Sequence, residues 1–362
     1  MHGQGKLRRR ALLRGGLGLG VAALCLDALA ACGTQSSLAP ASRSLPPPET
    51  TSVRLFWALC DPLFWMAGNF LREEGFTAGF DTGGGPIPQR LSSPLLNGDA
   101  DIGVTFANTF VGFVDAGQPI VALGGIHPGC AQVWARPGIN TISDLRGKTV
   151  AVQTNTVTVN NRTSPSTLFS FFVSLLAHVG IAPAEVNYVE LGATGSPLNA
   201  FLEGKSDAYL AQAEQGTLLQ ANPKNSGKLI LDTTMDKPWS QVQCCLLVAN
   251  RDWVKTNPIA AKRATRAILR SADAVTKDRR LAPSAALATG LFKASPEITE
   301  EVVADTIKDL SFDWREYDPE ETVRFYALLL SDAKLIKKTP QEIINTGTDL
   351  AYFRQLRKEL KP

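Results

Sequence analysis

From Ser52 onward, short β-type runs alternate with helical ones, and the alternation passes through the chain twice. The first pass reads SVRLFWAL (52–59) as a strand and PLFWMAGNFLREEG (62–75) as a helix closed by Gly75. TAGFD follows as a short strand, TGGGP as a turn, QRLSSPLLNGD as a helix and ADIGVTF as a strand. A helix from Asn108 to Ala116 and the strand PIVALGGI complete it. A βαβαβαβ order predicts a mostly parallel sheet covered by helices on both faces. The second pass reads GKTVAVQ, EVNYVEL and DAYLAQ as strands, with SPSTLFSFFVSLLAHVG and SPLNAFLEGK as the helices between them. Two such units in series predict an α/β chain of two lobes. After Val248 the pattern is almost wholly helical, with starts at Asn257-Pro258, Ser295-Pro296, Asp318-Pro319 and Thr339-Pro340. A proline at the first helical position sacrifices no bonded donor, so these dipeptides suit helix N-termini.

The N-terminus sets the compartment. Lys6 to Arg10 is basic, Ala11 to Leu26 is mostly apolar, and Leu29-Ala30-Ala31-Cys32 ends the segment. A charged region, a short apolar core and a small-residue cleavage site make a signal peptide, too short for a spanning helix. Its ending resembles the bacterial lipobox, which implies cleavage after residue 31 and lipidation of Cys32. Arg9-Arg10-Ala11-Leu12-Leu13 fits a twin-arginine export signal, and the three arginines fit Sec export too. The leader carries Lys6, Arg8, Arg9, Arg10 and Arg14 against Asp27, so a whole-chain charge of +3 becomes −1 without it. No basic field remains to argue for nucleic acid. Residues 32–52, with three consecutive prolines and no apolar period, read as a disordered tether. The remainder, globular in composition and without a later apolar run of about eighteen residues, is expected to be soluble, held to the membrane by the lipid alone.

Catalytic motifs are absent from the sequence. Its mature part holds two histidines, His127 and His178, far apart, and no HExxH, CxxC, G-x-S-x-G or Walker loop. GGG at 83–85 lacks the dinucleotide spacing and reads as a turn. No cofactor and no catalytic residue is expected.

Several phrases carry a resemblance. GDADIGVTFANTF, QPIVALGGI, TISDLRGKTVAVQ, FLEGKSDAYLAQAEQ and LLVANRDWVKTNPIAAKRATRAIL are similar to the substrate-binding proteins of ABC importers of the nitrate, sulfonate, taurine and thiamine-precursor type. A G-x-x-D-A/D phrase before a strand occurs once per lobe, at Asn97 to Asp101 and at Glu203 to Ala208. The resemblance implies the two-lobe type II periplasmic binding protein fold with a helical C-terminal extension. Lobe 1 would take 53–134 and 245–362, and lobe 2 would take 135–244. It also implies an exported monomer that captures a small molecule between closing lobes and delivers it to the permease subunits. Rival readings are an aminopyrimidine binder, an exported lipoprotein enzyme and a lipoprotein that only presents a surface to a protein.

In such a fold the ligand lies outside the carboxyl ends of the strands, near helix N-termini that accept anions. Segments 59–62, 83–86 and 105–108 of one lobe, and 153–158, 192–196 and 212–215 of the other, would face the cleft. Thr105, Asn108, Thr154, Asn155, Thr156, Ser196 and Gln212 offer neutral polar groups for an oxyanion or carboxylate. Asp61, beside Cys60, and Glu214 would suit an amino-bearing ligand, and Trp65 and Trp239 could stack a ring. Against these stand blander readings: Asp61 as a helix N-cap, Glu214 as a solvated helix residue, and the tryptophans as core.

The fold's two lobe crossings would fall near HPGCAQVWARPG and SQVQCCLLVANRD. This implies a disulfide from Cys130 to Cys244 or Cys245, with simple packing of three small apolar side chains as the alternative. A metal is not expected, because a vicinal cysteine pair is poorly splayed for tetrahedral ligation.

Overall fold

The computed structural model describes residues 45–57, 61–79, 93–192, 195–222, 225–288 and 299–360. The leader, Cys32, Cys60, the TGGGP turn and the helix start at Ser295-Pro296 lie outside the described residues.

The chain begins with β1 (Leu55–Phe56), α1 (Pro62–Glu73), α2 (Ser93–Asn97), β2 (Ile102–Phe106), α3 (Ala107–Asp115) and β3 (Ile120–Pro128). It continues through β4 (Ala131–Ala135), β5 (Thr149–Val152), the hairpin of β6 (Thr156–Val159) and β7 (Arg162–Pro165), and α4 (Thr167–His178). Next come β8 (Asn187–Glu190), α5 (Pro197–Leu202), β9 (Ala208–Gln212), α6 (Ala213–Ala221) and β10 (Lys228–Asp232). It returns as β11 (Gln243–Asn250), followed by α7 (Arg251–Thr256), α8 (Pro258–Lys277) and α9 (Leu281–Ala288). The last helices are α10 (Glu300–Ile307), α11 (Pro319–Asp332), α12 (Pro340–Gly347) and α13 (Ala351–Glu359).

Two sheets carry the architecture, one in the order β1-β2-β11-β3 and the other β10-β4-β9-β5-β8. The α/β reading with two sheets and a helical C-terminal region stands, but the pairing is more mixed than the alternation suggests. β11 runs antiparallel to both β2 and β3, and β4 runs antiparallel to both β9 and β10. Each of these strands follows a crossing from one sheet to the other, so it enters its new sheet against the local direction. The first crossing lies at Gly129-Cys130, ahead of the expected boundary at 134, because Val133 and Trp134 already pair with Leu210 and Tyr209 of β9.

The two G-x-x-D phrases do the same work in both sheets. Gly98 and Gly204 each take φ +79°, a left-handed conformation that ends the preceding helix and favours glycine. The aspartates that follow then reach the neighbouring strand. Asp101 accepts the Arg54 amide at 2.8 Å beside β1, and Asp207 accepts the Thr149 amide at 2.8 Å at the start of β5.

Three of the expected proline starts open helices, with Pro258, Pro319 and Pro340 in the first positions. Thr339 accepts the Glu342 amide while Glu342 accepts the Thr339 amide at 2.8 Å, a reciprocal cap. Residues 32–44 of the expected tether lie outside the described residues, and from Leu45 the chain is docked rather than disordered. Glu49 accepts the amides of Ile259 and Ala260 at 2.9 and 2.8 Å, and Arg263 donates to the carbonyls of Leu45 and Pro46. The first amides of α8 have no partner within the helix, so a carboxylate placed there gains both hydrogen bonds and the favourable end of the helix dipole. Among the described residues no helix is long and apolar enough to cross a membrane.

Candidate functional site

The residue ahead of α1 and the ends of β3 and β11 meet inside the molecule. Asp61 immediately precedes Pro62, yet its side chain caps no amide of α1. Its Oδ1 lies 3.3 Å from His127 Nε2 instead, and both residues are fully buried. His127 Nδ1 lies 3.0 Å from the Pro128 carbonyl, an acceptor only, so this nitrogen donates. Burial pushes the imidazolium pKa down, but the hydrogen bond and charge of Asp61, with the Pro128 carbonyl, outweigh it and hold the group above its ordinary value. Nε2 faces the Asp61 carboxylate. Phe312 closes the ring's other side, edge-on with centroids 5.3 Å apart.

Cys245 pairs with His127 in the register of β11 on β3, where β11 bulges on both sides of this residue. Its sulfur lies 3.8 Å from that of Cys130, well beyond the roughly 2.05 Å of a bonded pair. Cys130, Cys244 and Cys245 are buried, and no disulfide joins them in this structure, in contrast to the expected bridge. Burial pushes the Cys244 thiol well up, and Cys244 is within hydrogen-bonding reach of both other sulfurs. Burial also pushes the Tyr326 phenol well up, with the three nearby cysteines adding to the shift.

A second set of contacts joins the elements that flank the two sheets. Asn108, in the first turn of α3, donates to the Thr167 carbonyl at 2.9 Å and to Ser170 Oγ at 2.7 Å on α4. Thr109 donates to Thr167 Oγ1 at 2.9 Å. The β6–β7 hairpin reaches back as well: Gln118 donates to the Val159 carbonyl and Asn160 to the Leu96 carbonyl, each at 2.9 Å.

Residues 86–282, over half of the chain, match the family model described as NMT1/THI5 like. The chain belongs to that family. Curated protein sequences give no match. Solved structures share the fold of this NMT1/THI5-like chain across nearly their full length. The alkanesulfonate-binding protein SsuA from Xanthomonas axonopodis pv. citri, bound to MOPS, superposes with a TM-score of 0.60 at 14% identity, covering 84% of this chain and 99% of that one. The periplasmic nitrate-binding protein NrtA from Synechocystis PCC 6803 gives 0.64 at 11% identity, covering 87% and 90%. The periplasmic aliphatic sulphonate-binding protein SsuA from Escherichia coli gives 0.58 at 16% identity, covering 81% and 91%. The fold is that of the type II periplasmic binding proteins.

Within this NMT1/THI5-like fold the expected ligand residues are dispersed. Cys60 lies outside the described residues, and Glu214 stands in the first turn of α6 with its side chain likewise undescribed. Asp61 stands at the N-cap position of α1, but its side chain makes no capping bond and lies 3.3 Å from the buried His127 ring instead. Trp65 is core, edge-on to Trp57 with ring centroids 5.9 Å apart. Trp239 is buried among Phe171, His178, Phe325 and Tyr326, where it packs sheet-crossing residues against α4 and α11. Thr105 is buried on β2. Thr154 donates to the Thr156 carbonyl at 2.9 Å, and Asn155 donates to Glu190. Ser196 caps α5 by accepting the Asn199 amide, and the Gln212 amide is held by Gln215. The partners missed in the sequence are His127 for Asp61, and Thr167 and Ser170 for Asn108. Ser166, Ser170 and Ser174, small polar residues one helical turn apart in an apolar run, were the available signal for the latter.

Proposed function

We propose that the chain is the extracytoplasmic solute-binding component of an ABC importer, anchored by lipidated Cys32 and closing two lobes around a small polar molecule. The observation that carries this reading is the architecture: two α/β sheets joined by two crossings and bridged between α3 and α4. The shared fold of sulfonate- and nitrate-binding proteins supports it. The lobes divide at the crossings, and closure would bring the carboxyl ends of both sets of strands toward the solute. The chain acts as a binder rather than a catalyst.

A thermal-unfolding screen tests this with sulfonates, nitrate, dicarboxylates, aminopyrimidines, nucleobases and amino acids. A true ligand present at a hundred times its dissociation constant stabilises the native state by about 2.7 kcal/mol. An anion that loses its effect in Thr154→Val points to neutral donors, and an amine that loses its effect in Glu214→Gln points to the acidic alternative. No stabilisation by any compound, or chemical turnover of one, overturns the reading. Anchoring is tested separately: Cys32→Ser should abolish lipid labelling and release the chain to the soluble exported fraction.

A further inference from the structure

We infer that His127, Cys130 and Cys245 form a binding site for a thiophilic divalent cation of the zinc class, set at the first crossing between the sheets. One ligand atom from each of the three residues lies within 4.8 Å of the others, and all three side chains are buried. The sulfur spacing fits such an ion. Two thiolates bound to one tetrahedral zinc at about 2.3 Å stand about 3.8 Å apart, and the Cys130 and Cys245 sulfurs are 3.8 Å apart.

Nδ1 faces the Pro128 carbonyl at 3.0 Å and Nε2 faces Asp61 at 3.3 Å, so a cation replaces one of these contacts and the acceptor oxygen of the other orients the ring. The backbone adds a second indication. Cys130 takes φ +119°, a conformation that side chains rarely adopt, directly after Gly129 at φ +71°. Such strain persists where the surroundings over-determine it and collects at functional positions. Here it lies on the residue whose sulfur turns back toward β11. The tandem cysteines are no obstacle, because only Cys245 of the pair is needed.

Charge and access agree with a cation. Two thiolates and a neutral imidazole balance a divalent charge, which a buried site needs. Loading releases the two thiol protons to solvent, one for each charge on the cation. A cavity of about 160 Å³ reaches Cys130 and is also lined by Gln132, Asp232, Asp305, Asp309 and Lys308, three carboxylates against one ammonium. The excess of carboxylates draws cations toward this cavity, which Cys130 helps to line. Soft thiolates with imidazole select zinc over magnesium or calcium.

The test uses the full chain, kept under reductant, stripped with a chelator and titrated with Co²⁺ and then Zn²⁺. One equivalent of Co²⁺ should produce thiolate-to-cobalt charge-transfer bands and the visible bands of tetrahedral coordination, and Zn²⁺ should bleach them. Cys130→Ser and Cys245→Ser should each weaken binding by more than the roughly 10–100-fold that loss of an outer partner costs. Cys244→Ser should keep the bands, and their loss in that variant would overturn the assignment to Cys245. X-ray absorption of the zinc-loaded wild-type chain needs no variant to fold, and two sulfur neighbours are expected. A first shell without sulfur, or a Cys130–Cys245 disulfide that persists under reductant, overturns the proposal.

Discussion

Asp61 shows how far a local rule reaches. A polar residue before a proline belongs at a helix start, and α1 does start there, but the carboxylate turns to a histidine 66 positions away. Its removal leaves the imidazole's donor buried without an acceptor. Asp61→Ala should therefore lower unfolding stability by at least about 1–3 kcal/mol, and Asp61→Asn, which keeps an acceptor oxygen, should lose less. Urea midpoints at constant slope measure the difference. Gln243 makes the opposite case. It is fully buried, and neither its amide nitrogen nor its amide oxygen finds a partner among the described residues. Gln243→Met, similar in volume and free of that desolvation cost, should raise the urea midpoint by the equivalent of about 1–3 kcal/mol. Neither pairing nor orphaning was legible in the sequence, because both depend on which strands come to lie beside one another.

At the scale of elements, the repeated G-x-x-D phrase was legible as a repeat, and the structure supplies its reason. Both glycines end a helix in the left-handed region, and both aspartates accept a strand amide. The copies differ in one respect: Asp101 also accepts from the Arg54 guanidinium, at 3.2 Å from Nε. Asp207→Ala should thus cost about 1 kcal/mol and Asp101→Ala about 2–3 kcal/mol, measured in parallel denaturations. The docking of residues 45–51 on α8 was not legible, since a proline-rich polar run has no period to read. Glu49 supplies the contact. Slight burial pushes its carboxyl pKa up, but the amides of Ile259 and Ala260 outweigh that and hold it below the ordinary value. The lowered pKa means that this contact contributes fully above the unfolded-state pKa and is lost as pH falls through the folded one. Glu49→Gln should remove about 0.3–1 kcal/mol at neutral pH and speed proteolysis near residue 45, whereas in acid wild type and variant should be cut alike.

For the whole molecule, the contacts that matter are those between the sheets. Asn108 binds α3 to α4, and the β6–β7 hairpin binds to the loops of the first sheet. Asn108→Ala should therefore raise the radius of gyration of the free chain in solution scattering, and a ligand should reverse the change. An unchanged radius would assign the bridge to the hairpin alone. The sequence by itself determined the twofold α/β alternation, the proline-started helices and the family, because periodicity, capping and motif residues are written within a few residues of one another. Only the tertiary structure decided the rest. It placed β11 antiparallel between β2 and β3, turned Asp61 from cap to partner, buried both tryptophans, and set Cys130 beside Cys245 across 115 positions of chain. These outcomes follow from two crossings between sheets, and a crossing reverses strand direction and joins distant segments without leaving any local period to read.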